Sequence, residues 1–344
     1  MKKYAVLLVF LAVIGLYFFQ ADAAMAEGSG DSGPAQASWE ARGDTVVSLK
    51  FGPGANSVGC ADPKDALYDF ISPTSLFYKN GALFILDAPN FRLNKYSAKT
   101  PGKPYTLDKS ITLFDAARVP KNTEKPLFTD LAVLDNGAVF IASSREKVLY
   151  HYDASGALIG KIAPKVKIEG ITRIWVESEK KMLIEDPFSG KMYVINSSGE
   201  LIYELDLNFQ PVIMPSGDTV KVVYNETPSM PNEISLKTYK IPAKFESASL
   251  KAVFHIPVQN FMVLGCDADK NILAYAVLGA YNDAPSEAYF VKLSGATGRL
   301  ISKTPAPISP EMSCMRYVRA AEKGTFIFAH ADEDEYRVAK YVLK

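Results

Sequence analysis

Asp87, Asn90 and Arg92 set a carboxylate, an amide and a guanidinium within six residues, inside the stretch ILDAPNFRLNKYS that spans residues 85–97. Such a triplet can hold an anionic ligand through the planar fork of the arginine. It can equally close its own turn, because an Asp after a strand accepts backbone N–H bonds and an Asn or Arg nearby can join it. Asp186 follows a second apolar run, and Glu226, Asp283, Asp332 and Glu333 fall in later turns. If these acids converge they form a hard oxygen site, for which calcium is the natural ion, and a metal there would polarise an ester carbonyl. The candidate ligand-binding set is therefore Asp87, Asn90, Arg92, Asp186, Glu226, Asp283, Asp332 and Glu333, with no residue assigned to catalysis or as a metal ligand.

Several other chemistries lack their residues. The chain has three histidines, His151, His255 and His330, far apart in sequence. A three-histidine zinc site needs them on converging elements. There is no G-x-S-x-G elbow and no C-x-x-C-H haem attachment, so neither an esterase nucleophile nor a bound haem is expected. GPGANS at residues 52–57 lacks the third glycine and the lysine of a phosphate loop and reads as a turn. Lys plus Arg equals 38 and Asp plus Glu equals 38. That balance argues against nucleic acid as a partner.

The amino terminus differs from the rest. Lys2 and Lys3 precede an apolar run over residues 4–19, and Ala21-Asp22-Ala23 provides the small residues of a cleavage site. Residues 1–23 are expected to be a signal peptide, residues 24–38 a Gly- and Ser-rich flexible linker, and residues 39–344 the folded body. Export to a periplasmic or extracellular compartment follows, with no stable membrane insertion after cleavage. An oxidising compartment gives the three cysteines a role. Cys60 and Cys314 are expected to pair, leaving Cys266 as a buried thiol.

The elements that must position these residues are short apolar or alternating runs separated by Gly, Asn, Asp and Ser, an all-β pattern. They fall into groups of four. The first has strands at 74–78, 83–86, 92–96 and 110–114, with similar groups starting near 128, 171, 212, 262 and 315. The last group is one strand short, while residues 45–51 form a surplus strand ahead of the first. A ring of six four-stranded blades uses both: the N-terminal strand completes the last blade beside residues 336–343 and leaves no open edge. On this reading His151 ends a third strand, His255 lies in the outer strand of blade four and His330 ends a second strand of blade six, so they do not meet.

Residues 71–97, ISPTSLFYKNGALFILDAPNFRLNKYS, resemble the NHL-type propeller repeat. The shared features are a Pro-led strand, a Gly turn, a second strand ending in Asp and an Asn-x-Arg start to the third. The resemblance implies a six-bladed β-propeller. It also implies that Asp87, Asn90 and Arg92 stitch the repeat. The chain has no Trp-Asp dipeptide, unlike WD propellers. Long segments at 52–72, 115–126 and 305–313 would wall one face. The function expected is an exported binding or interaction protein that takes a protein, peptide or glycan on this loop-bearing face, without catalysis or a cofactor. The alternative is a calcium-dependent, lactonase-like hydrolase or lyase with an acidic site at the channel mouth, although Ile71-Ser72-Pro73 stands where such enzymes carry an acid.

Overall fold

The structure is a computed structural model that describes residues 43–60, 72–100, 103–115, 118, 120, 123–207, 209–213, 219–224, 232–240, 245–279, 287–308, 316–321, 324–331 and 334–343. Its first strands are β1 (Asp44–Phe51) and the two-residue β2 (Ser57–Val58). Blade one follows with β3 (Ser75–Lys79), β4 (Ala82–Asp87), β5 (Arg92–Ser97) and β6 (Thr106–Thr112). Blade two has β7 (Phe128–Val133), β8 (Val139–Ser143), β9 (Val148–Tyr152) and β10 (Leu158–Ile162), and blade three has β11 (Arg173–Ser178), β12 (Lys181–Asp186), β13 (Lys191–Ile195) and β14 (Leu201–Asp206). Blade four comprises β15 (Phe209–Ile213), β16 (Thr219–Tyr224), β17 (Glu233–Lys240) and β18 (Phe245–Val253). Blade five is β19 (Val258–Cys266), β20 (Ile272–Leu278), β21 (Glu287–Leu293) and β22 (Leu300–Pro305), and blade six adds β23 (Val318–Ala320), β24 (Thr325–Ala331) and β25 (Glu335–Val342).

Five sheets contain four consecutive antiparallel strands, and the sixth runs β2-β1-β25-β24-β23. The first strand of each blade touches that of the next, β3 to β7, β11, β15, β19, β23 and back to β3. The sheets thus close into a six-bladed β-propeller around a channel. The N-terminal strand completes blade six: β1 pairs antiparallel with β25 from Asp44 opposite Lys340 to Lys50 opposite Glu335. Val46, Val47 and Leu49 of β1 are buried there.

Burial peaks in the second strands and falls toward the outer ones, and this pattern decides which strands the sequence announces. The second strands lie between neighbouring blades and are covered on both faces, so ALFILD of β4 and ILAYAVL of β20 are buried throughout. Outer strands face solvent and alternate weakly, as in TLDKSIT of β6. One expected strand moves for this reason. The outer strand of blade four was expected at 250–256 and instead ends at Val253, having begun within a run whose residues 246–249 are exposed and mostly polar. His255 therefore lies in the connection to blade five rather than in a strand; Pro257, which has no amide to donate, follows it closely. The first strand of blade six, expected at 315–319, is Val318–Ala320, with Arg316 ahead of it bridging to Ser75 of blade one.

Candidate functional site

The two ends of the ring differ. At one end emerge the turns between second and third strands together with the blade-to-blade connections; at the other, first strands turn into second strands. Asp87 and Asp186 terminate second strands and so sit at the first end.

Asp87 is fully buried, and its carboxylate accepts from Gly59 N at 2.7 Å, Asn90 Nδ2 at 2.9 Å and Arg92 Nε at 2.7 Å. Asn90 also donates to the Gly52 carbonyl, and Arg92 donates through Nη2 to Ser57 O and through Nη1 to Pro53 O. Phe91 between them takes a left-handed backbone, φ 52°, to turn the chain into β5. A side chain at Gly59 would meet Pro89 Cβ at 2.6 Å, so only glycine fits that approach. The triplet thus binds residues 52–59 to blade one. Burial pushes the Asp87 carboxyl upward, against the opposing hydrogen bonds and the Arg92 charge.

Asp186 is likewise fully buried and accepts from the backbone N–H groups of Glu169, Phe188 and Ser189. It shares no partner with Asp87. Glu226, Asp283, Asp332, Glu333 and Cys314 lie outside the described residues. Cys60 is exposed, and Cys266 is half-buried with its thiol pushed up to about 12 by burial and by the charge of Asp267. Among the described residues no three His, Cys, Asp or Glu side chains gather as a metal site.

Among the described residues the most heavily bonded charged cluster lies in the channel, and it was missed in the sequence. Asp130, in the middle of β7, is fully buried. One oxygen accepts from Ser75 Oγ at 2.6 Å and Arg319 Nη2 at 2.8 Å; the other accepts from Ile174 N at 2.9 Å and Arg316 Nη1 at 2.5 Å. Arg316 also reaches Ile174 O, and Arg319 reaches Leu76 O and Leu131 O. One carboxylate thereby ties blades one, two, three and six together across the channel. Burial alone would push the Asp130 carboxyl up, but Arg316, Arg319 and the bonds from Ser75 and Ile174 hold it below the ordinary aspartate value. The signal was present: FTDLAV is an apolar inner strand interrupted by one acid.

Above this latch, at the end where first strands turn into second strands, a recess of about 550 Å³ opens between blades one, two and three. Phe77, Ala132, Ile174, Trp175 and Val176 make its apolar walls, Arg319 lies at its base, and Lys79, Asp135, Glu177, Glu179 and Lys180 stand at its rim. Lys79 pairs with Asp135, Glu177 with Lys181, and Glu179 stands 4.0 Å from His151 Nε2. The His151 ring is stacked on Phe140 at 4.3 Å. A cavity of this size and lining suits a small organic ligand.

No family model matches the chain, and no curated protein matches it in sequence. Among solved structures, hydrazine synthase of Kuenenia stuttgartiensis is similar at 10% identity, covering 80% of this chain and 81% of that chain, with a TM-score of 0.46. A luciferin-regenerating enzyme is similar at 11% identity over 80% of this chain and 93% of that chain, also at 0.46. A catalytically inactive virginiamycin B lyase from Staphylococcus aureus with quinupristin is similar at 10% identity over 78% and 94%, at 0.45. The six-bladed architecture rests on the sheet order and ring contacts above, independently of these likenesses.

Proposed function

We propose that this chain is an exported binding propeller that takes a small organic ligand in the channel recess and performs no chemistry on it. The recess itself carries the reading: apolar walls with two aromatic rings, a charged rim that includes the Lys79–Asp135 pair, and a base at Arg319, which the Asp130 latch holds. The described cavity opens at the end opposite the long connections, so the reading moves the binding site from the loop-bearing face to the turn face. Asp87, Asn90, Arg92 and Asp186 then serve to hold the connections in place, since their polar atoms bond to the chain itself. Export rests on Lys2, Lys3, the apolar run to Phe19 and the Ala21-Asp22-Ala23 site.

Thermal unfolding of residues 24–344 separates this reading from the calcium-dependent hydrolase. A ligand that binds only the folded state raises its melting temperature by mass action. The binding reading expects one melting temperature with EDTA and with calcium, magnesium, manganese or zinc added back. A rise specific to calcium, abolished by EDTA, would favour the metal-dependent enzyme.

A further inference from the structure

The Asp130 latch also sets the level of the strands that wall the recess. Its carboxylate accepts from Ser75 Oγ and from Ile174 N, which brings β3, β7 and β11 into step. Side chains two apart in a strand share a face, so Phe77 and Ala132 follow Ser75 and Asp130 on the channel side, while Trp175 follows Ile174. All three line the recess. Blades one, two and three therefore present, in order, an aromatic ring, a single methyl group and a second aromatic ring. The small residue between two large ones leaves a space with a ring on either flank.

These rings are held in place before any ligand arrives. Phe77 packs against the apolar clusters between blades one and two and between blades two and three, and the Arg319 guanidinium lies 4.9 Å from its ring centroid. Trp175 packs against the clusters of blade three and of blades four and five. Both side chains are only half-buried, which leaves surface for a ligand in the recess. Surfaces fixed in advance give up little freedom on binding. Ile174 and Val176 extend the apolar wall, and the rim is charged, with Lys79 paired to Asp135.

We propose that the recess binds a flat aromatic ring carrying a polar tail, with the ring between Phe77 and Trp175 and the tail at the charged rim. This rests on the recess being the ligand site and names the class of ligand it takes. An aromatic pair gains about two- to tenfold in affinity beyond the apolar area it buries. A saturated ring of the same size buries at least as much apolar area but has no π-face. Preference for the aromatic ring therefore separates stacking from plain apolar filling.

Trp175 is one of two tryptophans in the chain, the other being Trp39, so a Trp39→Phe variant of residues 24–344 reports the recess by fluorescence. The probes are 3-phenylpropionate and 3-cyclohexylpropionate, which share chain and charge and differ in the ring. The expected result is saturable binding of 3-phenylpropionate at least about threefold tighter than of the saturated acid. Phe77→Leu keeps an apolar side chain and removes one ring; Trp175→Leu does the same on the other flank, with affinities read by calorimetry. Each should reduce the aromatic preference by at least about half. Thermal melts show which variants are folded, and if one is not, the other and the parent comparison carry the test. Equal affinity for the two acids in the parent, or preference for the saturated one, overturns the aromatic inference but leaves the recess as a ligand site. An aromatic preference unchanged in both variants places the stacking elsewhere and overturns the inference as well. No binding of either probe overturns both readings.

Discussion

Asp130→Asn keeps the shape of the side chain and removes the charge that holds the channel together. The wild-type carboxylate accepts from two guanidiniums, a serine hydroxyl and a backbone amide while fully buried. Asparagine retains one acceptor oxygen and turns an NH2 group toward the arginines. Two charge-assisted bonds are lost or reversed, at about 1.5–3 kcal/mol each, which gives about 3–6 kcal/mol. Breaking a buried ion pair from one side costs about 3–5 kcal/mol by a separate route. The two routes agree, and for a domain of this size they correspond to a melting temperature lower by roughly 6–10 °C. The assay is urea unfolding of both proteins across pH, read by far-ultraviolet circular dichroism. The folded carboxyl titrates below its unfolded value, near 3.8, so its stabilisation is complete above that pH and is lost as pH falls through the lower, folded value. The gap between wild type and variant should therefore be constant from about pH 5 to 7 and close on acidification below about pH 4. A gap under about 1 kcal/mol at pH 7, or one that widens in acid, would refute the latch.

Deleting residues 44–51 removes β1 with Val46, Val47 and Leu49, whose burial is worth about 5–9 kcal/mol together, and leaves β25 as an open edge. Sedimentation should show aggregation, and a soluble protein with unchanged melting would contradict closure by this strand. Arg92→Ala releases the Ser57 and Pro53 carbonyls and one bond to buried Asp87. Amide exchange at Gly59 and its neighbours should accelerate and stability fall by about 2 kcal/mol; undisturbed protection would show that Arg92 does not hold the segment. Export with cleavage predicts, by mass spectrometry of the mature protein, a chain beginning at Ala24, and a chain retaining residues 1–23 would contradict cleavage.

The ring was legible because second strands such as ALFILD and ILAYAVL are buried on both faces and announce themselves as apolar runs. The surplus strand at 45–51 and the missing strand of the last group fixed the closure, since an unpaired edge is unfavourable. Outer strands were harder to place: residues 246–249 of β18 are exposed and carry no period that burial would impose. The turn chemistry of Asp87, Asn90 and Arg92 could be read locally because its partners lie within six residues, yet its hold on residues 52–59 could not. The channel was beyond reach for the same reason in stronger form. Asp130, Arg316 and Arg319 are separated by nearly two hundred residues and meet only because blade six returns beside blade one. Nor does Trp175 in sequence reveal that it will share a cavity with Phe77, since that depends on which ends of three first strands are brought together.

Binding in the recess is tested most directly by soaking crystals of residues 24–344 with 3-phenylpropionate and locating the ligand. Occupancy of the recess predicts its ring between Phe77 and Trp175. Ordered ligand confined to the opposite end, around the connections that Asp87 and Asp186 hold, would contradict it.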